Sequence, residues 1–125
     1  MNNRERQQQR RLVGWWLGVS PGNVVSGEDL ARQLEAIKQE FDRAVTSRDI
    51  YDLLPRAKDT EIKKRILRVE QALAGTAMSA IAVAEGIQTT YVSFSVKDTL
   101  QRLALRVHQE TESNETARRS SGSVE

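Results

Sequence analysis

A chain of 125 residues with no cysteine and a formal net charge of +2 suits one domain with a modest core, and it excludes a disulfide framework and a thiolate metal site. Aromatics make up only 5% of it, and its apolar content is mostly Leu, Ile, Val and Ala at helical intervals, which predicts an all-α fold, a small helical bundle. The longest apolar-leaning run, "LAGTAMSAIAVA", is too short and interrupted to cross a bilayer, and no secretory leader precedes the first charges, so the expectation is a cytoplasmic protein without membrane contact.

The first segment, "NNRERQQQRRLVGWWLGV", reads as a helix rich in Arg and Gln with an apolar end at Leu12, Val13, Trp15, Trp16 and Leu17. Pro21 and Gly22 in "SPGN" stop it, because they favour a turn over a helix interior. Ser26 is the expected cap of a second helix, with Glu28 and Asp29 near the positive end of its dipole. Leu30, Leu34, Ile37, Phe41 and Val45 then make one continuous stripe. "TSRD" interrupts that helix before Ile50, Tyr51, Leu53 and Leu54, and Pro55 ends the region. Asp59 or Thr60 is expected to cap a third helix, striped by Ile62, Ile66, Val69 and Leu73, which packs on the second as an antiparallel pair.

Two readings compete for "AIAVAEGIQTTYVSFSV", residues 80 to 96. As a strand, Val92, Phe94 and Val96 face one way and Tyr91, Ser93 and Ser95 the other. No second segment alternates convincingly, however, so such a strand has no backbone partner within the chain. As a helix, Val92, Val96, Leu100, Leu103 and Val107 form one amphipathic stripe, following a short helix through Ile81 and Ala82 and a sharp turn at Gly86. The helical reading carries more of the chain. Beyond His108 the sequence is polar without an apolar period, so residues 1–108 are expected to form a single helical domain and 109–125 a disordered tail.

Charge is segregated along the chain: residues 1–11 carry four Arg against one Glu, residues 20–55 four basic against seven acidic side chains, and residues 56–73 six basic against three acidic. This arrangement allows either ion pairing between the acidic and basic arms or a basic face for a polyanion.

The stretch "GTAMSAIAVAEGIQTTYVSFSVKDTLQRL" resembles the two-helix core of helix-turn-helix DNA-binding proteins of the small bacterial and phage regulator type. The matching positions are Ala82, small at the helix crossing, Gly86 at the turn, Ile87 as an apolar plug, and Val92 against Ala82. The match covers about thirty residues, and it departs from the family at Glu85 and Ser95, where apolar residues are usual. The resemblance implies a helix-turn-helix over residues 76–107 whose second helix enters the major groove. By position it assigns Gln88, Thr89, Thr90, Ser93, Phe94 and Lys97 to DNA reading: Gln suits adenine, Thr and Phe a thymine methyl, and Lys guanine or phosphate. That helix lacks Arg, so phosphate contacts are expected from Arg10, Arg11, Lys63, Lys64, Arg65 and Arg68.

The remaining signals are plainer. "RERQQQRRLVGWW" loosely resembles the arginine-rich RNA-binding segments of phage antitermination proteins, with Arg4, Arg6, Arg10 and Arg11 on phosphates and Trp15 or Trp16 stacked on a base. Anchoring the first helix to the core is the commoner use of two tryptophans in a chain so short of aromatics. His108 has no acidic or cysteine neighbour at ligand spacing and suits the end of the last helix, so no metal site is expected. Asp42, Asp49 and Asp52 are too irregular for an acid and base pair, no serine has a companion base, and the glycines form no phosphate loop. The expectation is therefore no catalytic residue, no cofactor and no small-molecule substrate. The leading reading is a regulatory protein that binds double-stranded DNA, as a homodimer or with another protein through its amphipathic helices. The alternative is a helical adaptor, subunit or inhibitor without nucleic-acid activity.

Overall fold

The computed structural model describes residues 3–20, 23 and 28–123, with side chains described as far as Glu110. Six helices make up the described chain: α1 (Asn3–Leu17), α2 (Glu28–Thr46), α3 (Asp49–Leu53), α4 (Asp59–Leu73), α5 (Met78–Glu85) and α6 (Thr89–Ser123). No strand occurs among the described residues. Pro21, Gly22 and Ser26, the expected stop and cap between α1 and α2, lie outside the described residues.

The core is built from the expected stripes. Leu30, Leu34, Ile37 and Phe41 of α2 are buried, as are Ile62, Val69 and Leu73 of α4 and Val92, Val96, Leu100 and Leu103 of α6. Val45, Ile66 and Val107 pack against it half-buried, and Ala44 takes the fully buried place beside Val45. Trp16 is buried and Trp15 half-buried against the core, so both anchor α1.

Helix pairing differs from the expected α2–α4 antiparallel pair. The principal packings are α5 on α6, α4 on α6, and α1 on both α2 and α6, whereas α2 and α4 touch only lightly. The long α6 supplies one continuous apolar face to α1, α4 and α5, and the five-residue α3 with its flanking turns separates α2 from α4. Ion pairing follows the same division. Those of α2 are local, Arg32 to Asp29 and Arg43 to Glu40, while the inward arginines of α4 meet α5 and α6. Among the described residues no ion pair joins the acidic arm to the basic one.

The interruption expected at "TSRD" is a left-handed turn at Arg48, φ 68°, whose guanidinium lies 4.6 Å from the Tyr51 ring centroid. Asp59 does not cap α4. Its carboxylate instead reaches Lys63 one turn on, at 3.0 Å, and Lys58 occupies the cap position without a side-chain hydrogen bond. His108 lies within α6 and not at its end, its ring edge-on to Trp16 with centroids 6.5 Å apart. In the polar segment 109–125 the helical backbone continues to Ser123, while the last described side chain to pack on the core is Val107.

The helical register of residues 90 to 96 separates side chains that a strand would place together. Val92 and Val96 are fully buried and Phe94 is 59% exposed. Urea denaturation should therefore show Val96→Ala costing about 2 kcal/mol and Phe94→Ala changing stability by less than about 0.5 kcal/mol. Equal losses at both positions would contradict this register.

Candidate functional site

The α5–α6 bend is produced by local backbone chemistry. Gly86 ends α5 with φ 69° and ψ 32°, a left-handed conformation that costs an L side chain energy but glycine little. Its amide and that of Ile87 donate to the Val83 and Ala82 carbonyls, closing the helix end. The Gln88 carbonyl then accepts from the amides of Tyr91 and Val92, which starts α6. Ala82 and Val92 are both buried at this packed pair of helices, and Ile87 is half-buried beside the core.

Glu85 and Ser95, the two positions where the sequence departs from the apolar helix-turn-helix pattern, are held by one arginine. The Arg68 guanidinium, only 3% exposed, donates from Nε to Glu85 Oε2 and from Nη2 to Glu85 Oε1, both at 2.8 Å, in a bidentate pair. Its Nη1 donates to Ser95 Oγ at 3.0 Å and lies 3.5 Å from a Glu61 oxygen. The Tyr91 ring sits over the same group, 5.3 Å from centroid to Cζ. Three helices, α4, α5 and α6, thus converge on one buried cation. Hydrogen bonding to Arg68 holds the Glu85 carboxyl below the usual carboxylate range, against the desolvation that would raise it, and Lys64 assists through space. The same bonds keep Arg68 protonated despite burial.

A second bridge runs beside it. Asp98 accepts from Arg65 at 2.8 Å and from Arg102 at 3.0 Å. Burial opposes ionisation of Asp98, but the hydrogen bonds from Arg65 and Arg102 outweigh it and hold its carboxyl low. Arg102 also donates to the Leu53 carbonyl at 3.2 Å, tying α6 to α3.

Most of the expected DNA-reading side chains share the accessible start of α6. Gln88, Thr89, Thr90, Phe94 and Lys97 are exposed, while Ser93 is half-buried with its hydroxyl on Met78 Sδ at 3.1 Å. The expected phosphate contacts divide. Arg11, Lys63 and Lys64 are exposed, and Arg10 is half-buried with its Nε enclosed and unpartnered. Arg68 and Arg65 correct the expectation: the first is buried in its clamp and the second, 15% exposed, is turned onto Asp98 and Glu61. A run of four basic residues on α4 cannot all face outward when one side of that helix packs on α6. The signal for this was the pair of odd polar residues, Glu85 and Ser95, which required a buried partner.

The basic start of α1 is fastened at the junction of α4 and α5. Gln8 Nε2 donates to the Ala72 and Thr76 carbonyls, at 3.1 and 2.8 Å, where α4 ends and α5 is about to begin. Arg4, Arg6 and Arg11 remain exposed around that attachment. No helix searched among the described residues is long and apolar enough to cross a membrane.

Two measurements probe the bend. A Cβ at Gly86 would meet nothing within 4 Å, so Gly86→Ala should cost only the left-handed backbone strain, about 1–2 kcal/mol in urea denaturation. A neutral result would contradict the left-handed turn. Because the folded pKa of Glu85 lies below its ordinary 4.5, the stability from its ionised form is complete above about pH 4.5 and is lost as pH falls through the folded value. Asp98 adds a similar loss below its ordinary 3.8. Glu85→Gln should lower stability at pH 7 by about 1–3 kcal/mol and flatten the decline of stability between pH 5 and 3, whereas an unchanged decline would contradict the clamp. No protein-family model, curated protein or solved structure matches this chain.

Proposed function

We propose that this protein is a small regulatory factor that binds double-stranded DNA through α5 and α6, with the start of α6 in the major groove. The reading is carried by one observation: a short helix and a long helix meet at a left-handed glycine, pack on each other with Ala82 and Val92 buried, and leave five of the six positions assigned to the groove exposed. The exposed chemistry suits base edges, an amide at Gln88, a methyl and hydroxyl each at Thr89 and Thr90, a ring at Phe94 and an ammonium at Lys97. Phosphate contacts fall to the exposed Arg11 of α1, to Lys63, and to Lys64 near Glu85 at the turn. A single module offers few base contacts, so the active form is a homodimer on paired half-sites.

A second reading, a helical adaptor, is favoured by apolar side chains exposed outside the groove-facing positions, Val83 at 82% and Leu105 at 60%. Gel shifts of the full chain over a salt series separate the two. DNA binding should weaken steeply with salt, and Arg11→Ala and Lys64→Ala should each reduce the slope by about one unit. Phe94→Ala and Thr90→Ala should change which fragments are selected without unfolding the protein. Absent or salt-insensitive binding would contradict the DNA reading and leave the adaptor.

A further inference from the structure

A cavity of about 500 Å³ opens between α4, α6 and the α3–α4 loop. Its size falls within the range of small-molecule sites, about 300–1,000 Å³. The loop contributes an apolar wall from Leu54, Pro55 and Ala57, and α6 adds the Tyr91 ring. Its polar lining is Arg56, Arg65 and Arg102 against Glu61 and Asp98.

The charges do not balance. Three guanidiniums face two carboxylates, and both carboxylates are already engaged. Asp98 is shared between Arg65 and Arg102, and Glu61 lies 3.7 Å from Arg65 and 3.5 Å from Arg68. Arg56 makes no ion pair or side-chain hydrogen bond among the described residues. The Nε of Arg65 is enclosed without a hydrogen-bond partner, and the Tyr91 hydroxyl makes none among the described residues. The enclosed Arg65 Nε cannot reach a ligand, so the cavity offers one surplus positive charge at Arg56, the Tyr91 hydroxyl and an apolar wall.

From this we infer that the protein binds a small monocarboxylate with an apolar body in the cavity between α4, α6 and the α3–α4 loop, its carboxylate on Arg56 and its body against Leu54, Pro55 and Tyr91. A guanidinium can hold a carboxylate by two parallel hydrogen bonds. A single surplus charge matches a monoanion. A phosphate monoester carries about −1.5 to −2 at pH 7, more than the cavity balances, and inorganic phosphate brings nothing for the apolar wall. Tyr91, Asp98 and Arg102 lie about a quarter-turn around α6 from Thr90, Phe94 and Lys97, so this site and the proposed DNA face are separate surfaces of one helix. The inference stands independently of the DNA reading.

Benzoate, benzamide and inorganic phosphate, titrated in turn into the isotope-labelled full chain, test it by amide chemical shifts. Benzoate should move the Ala57, Tyr91 and Asp98 amides saturably at millimolar concentration, while benzamide and phosphate leave them in place. Arg56→Gln should weaken benzoate about tenfold, the loss of one charge-assisted contact. Arg56 is exposed, so the remaining spectrum should be unchanged. The inference is overturned if benzoate moves nothing, if benzamide or phosphate binds as well, or if Arg56→Gln binds benzoate like the parent.

Discussion

The arrangement of α4, α5 and α6 depends on finding partners for one buried positive charge. A guanidinium removed from water is costly unless its donors are satisfied, and Arg68 meets that requirement chiefly through Glu85 and Ser95, with Glu61 of its own helix at 3.5 Å. Glu85 is the last residue of α5 and Ser95 lies in the second turn of α6, so satisfying both sets the angle between those helices. Apolar residues at these places would pack with looser directional demands. The bidentate pair requires one geometry, and the strain-free left-handed glycine at the bend permits it.

From that clamp the exposed surface follows. With Ala82, Val92 and Val96 drawn inward, the opposite side of α6 presents Thr90, Phe94 and Lys97 to solvent. Asp98 and its two arginines hold the next stretch of α6 to α4 and α3, and Gln8 straps α1 across the junction of α4 and α5. Basic side chains of α4 consequently serve two purposes: Arg65 and Arg68 hold the bundle together, and Lys63 and Lys64 remain on its surface.

Much of this was legible in the sequence because helical periodicity reports burial directly. The stripes of α2, α4 and α6 were readable from spacing alone, and Gly86 marked the bend since few residues other than glycine tolerate its backbone conformation. Local β propensity in "TTYVSFSV" pointed the other way, and it was outweighed by the continuous stripe from Val92 to Val107. Partner choice between helices was not legible. Two helices of matching stripe need not pack together when other helices offer each a better face, as α1 does for α2 and α6 for α4 here. The orientation of Arg65 and Arg68 was hidden for a related reason: a basic run shows its net charge in sequence but not which members turn inward. The cavity beside Arg56 left no trace, since its walls come from segments as far apart as residues 54 and 102.

A double-mutant cycle on Arg68 and Glu85 tests the clamp most directly. Equilibrium denaturation of Arg68→Met, Glu85→Gln and the double variant at pH 7 should give a coupling energy of about 2 kcal/mol or more, as expected when a bidentate charge-assisted pair on a buried guanidinium is broken. The double variant should then be hardly less stable than the worse single variant. Additive losses, with coupling below about 0.5 kcal/mol, would contradict the view that this pair determines how α5 and α6 meet.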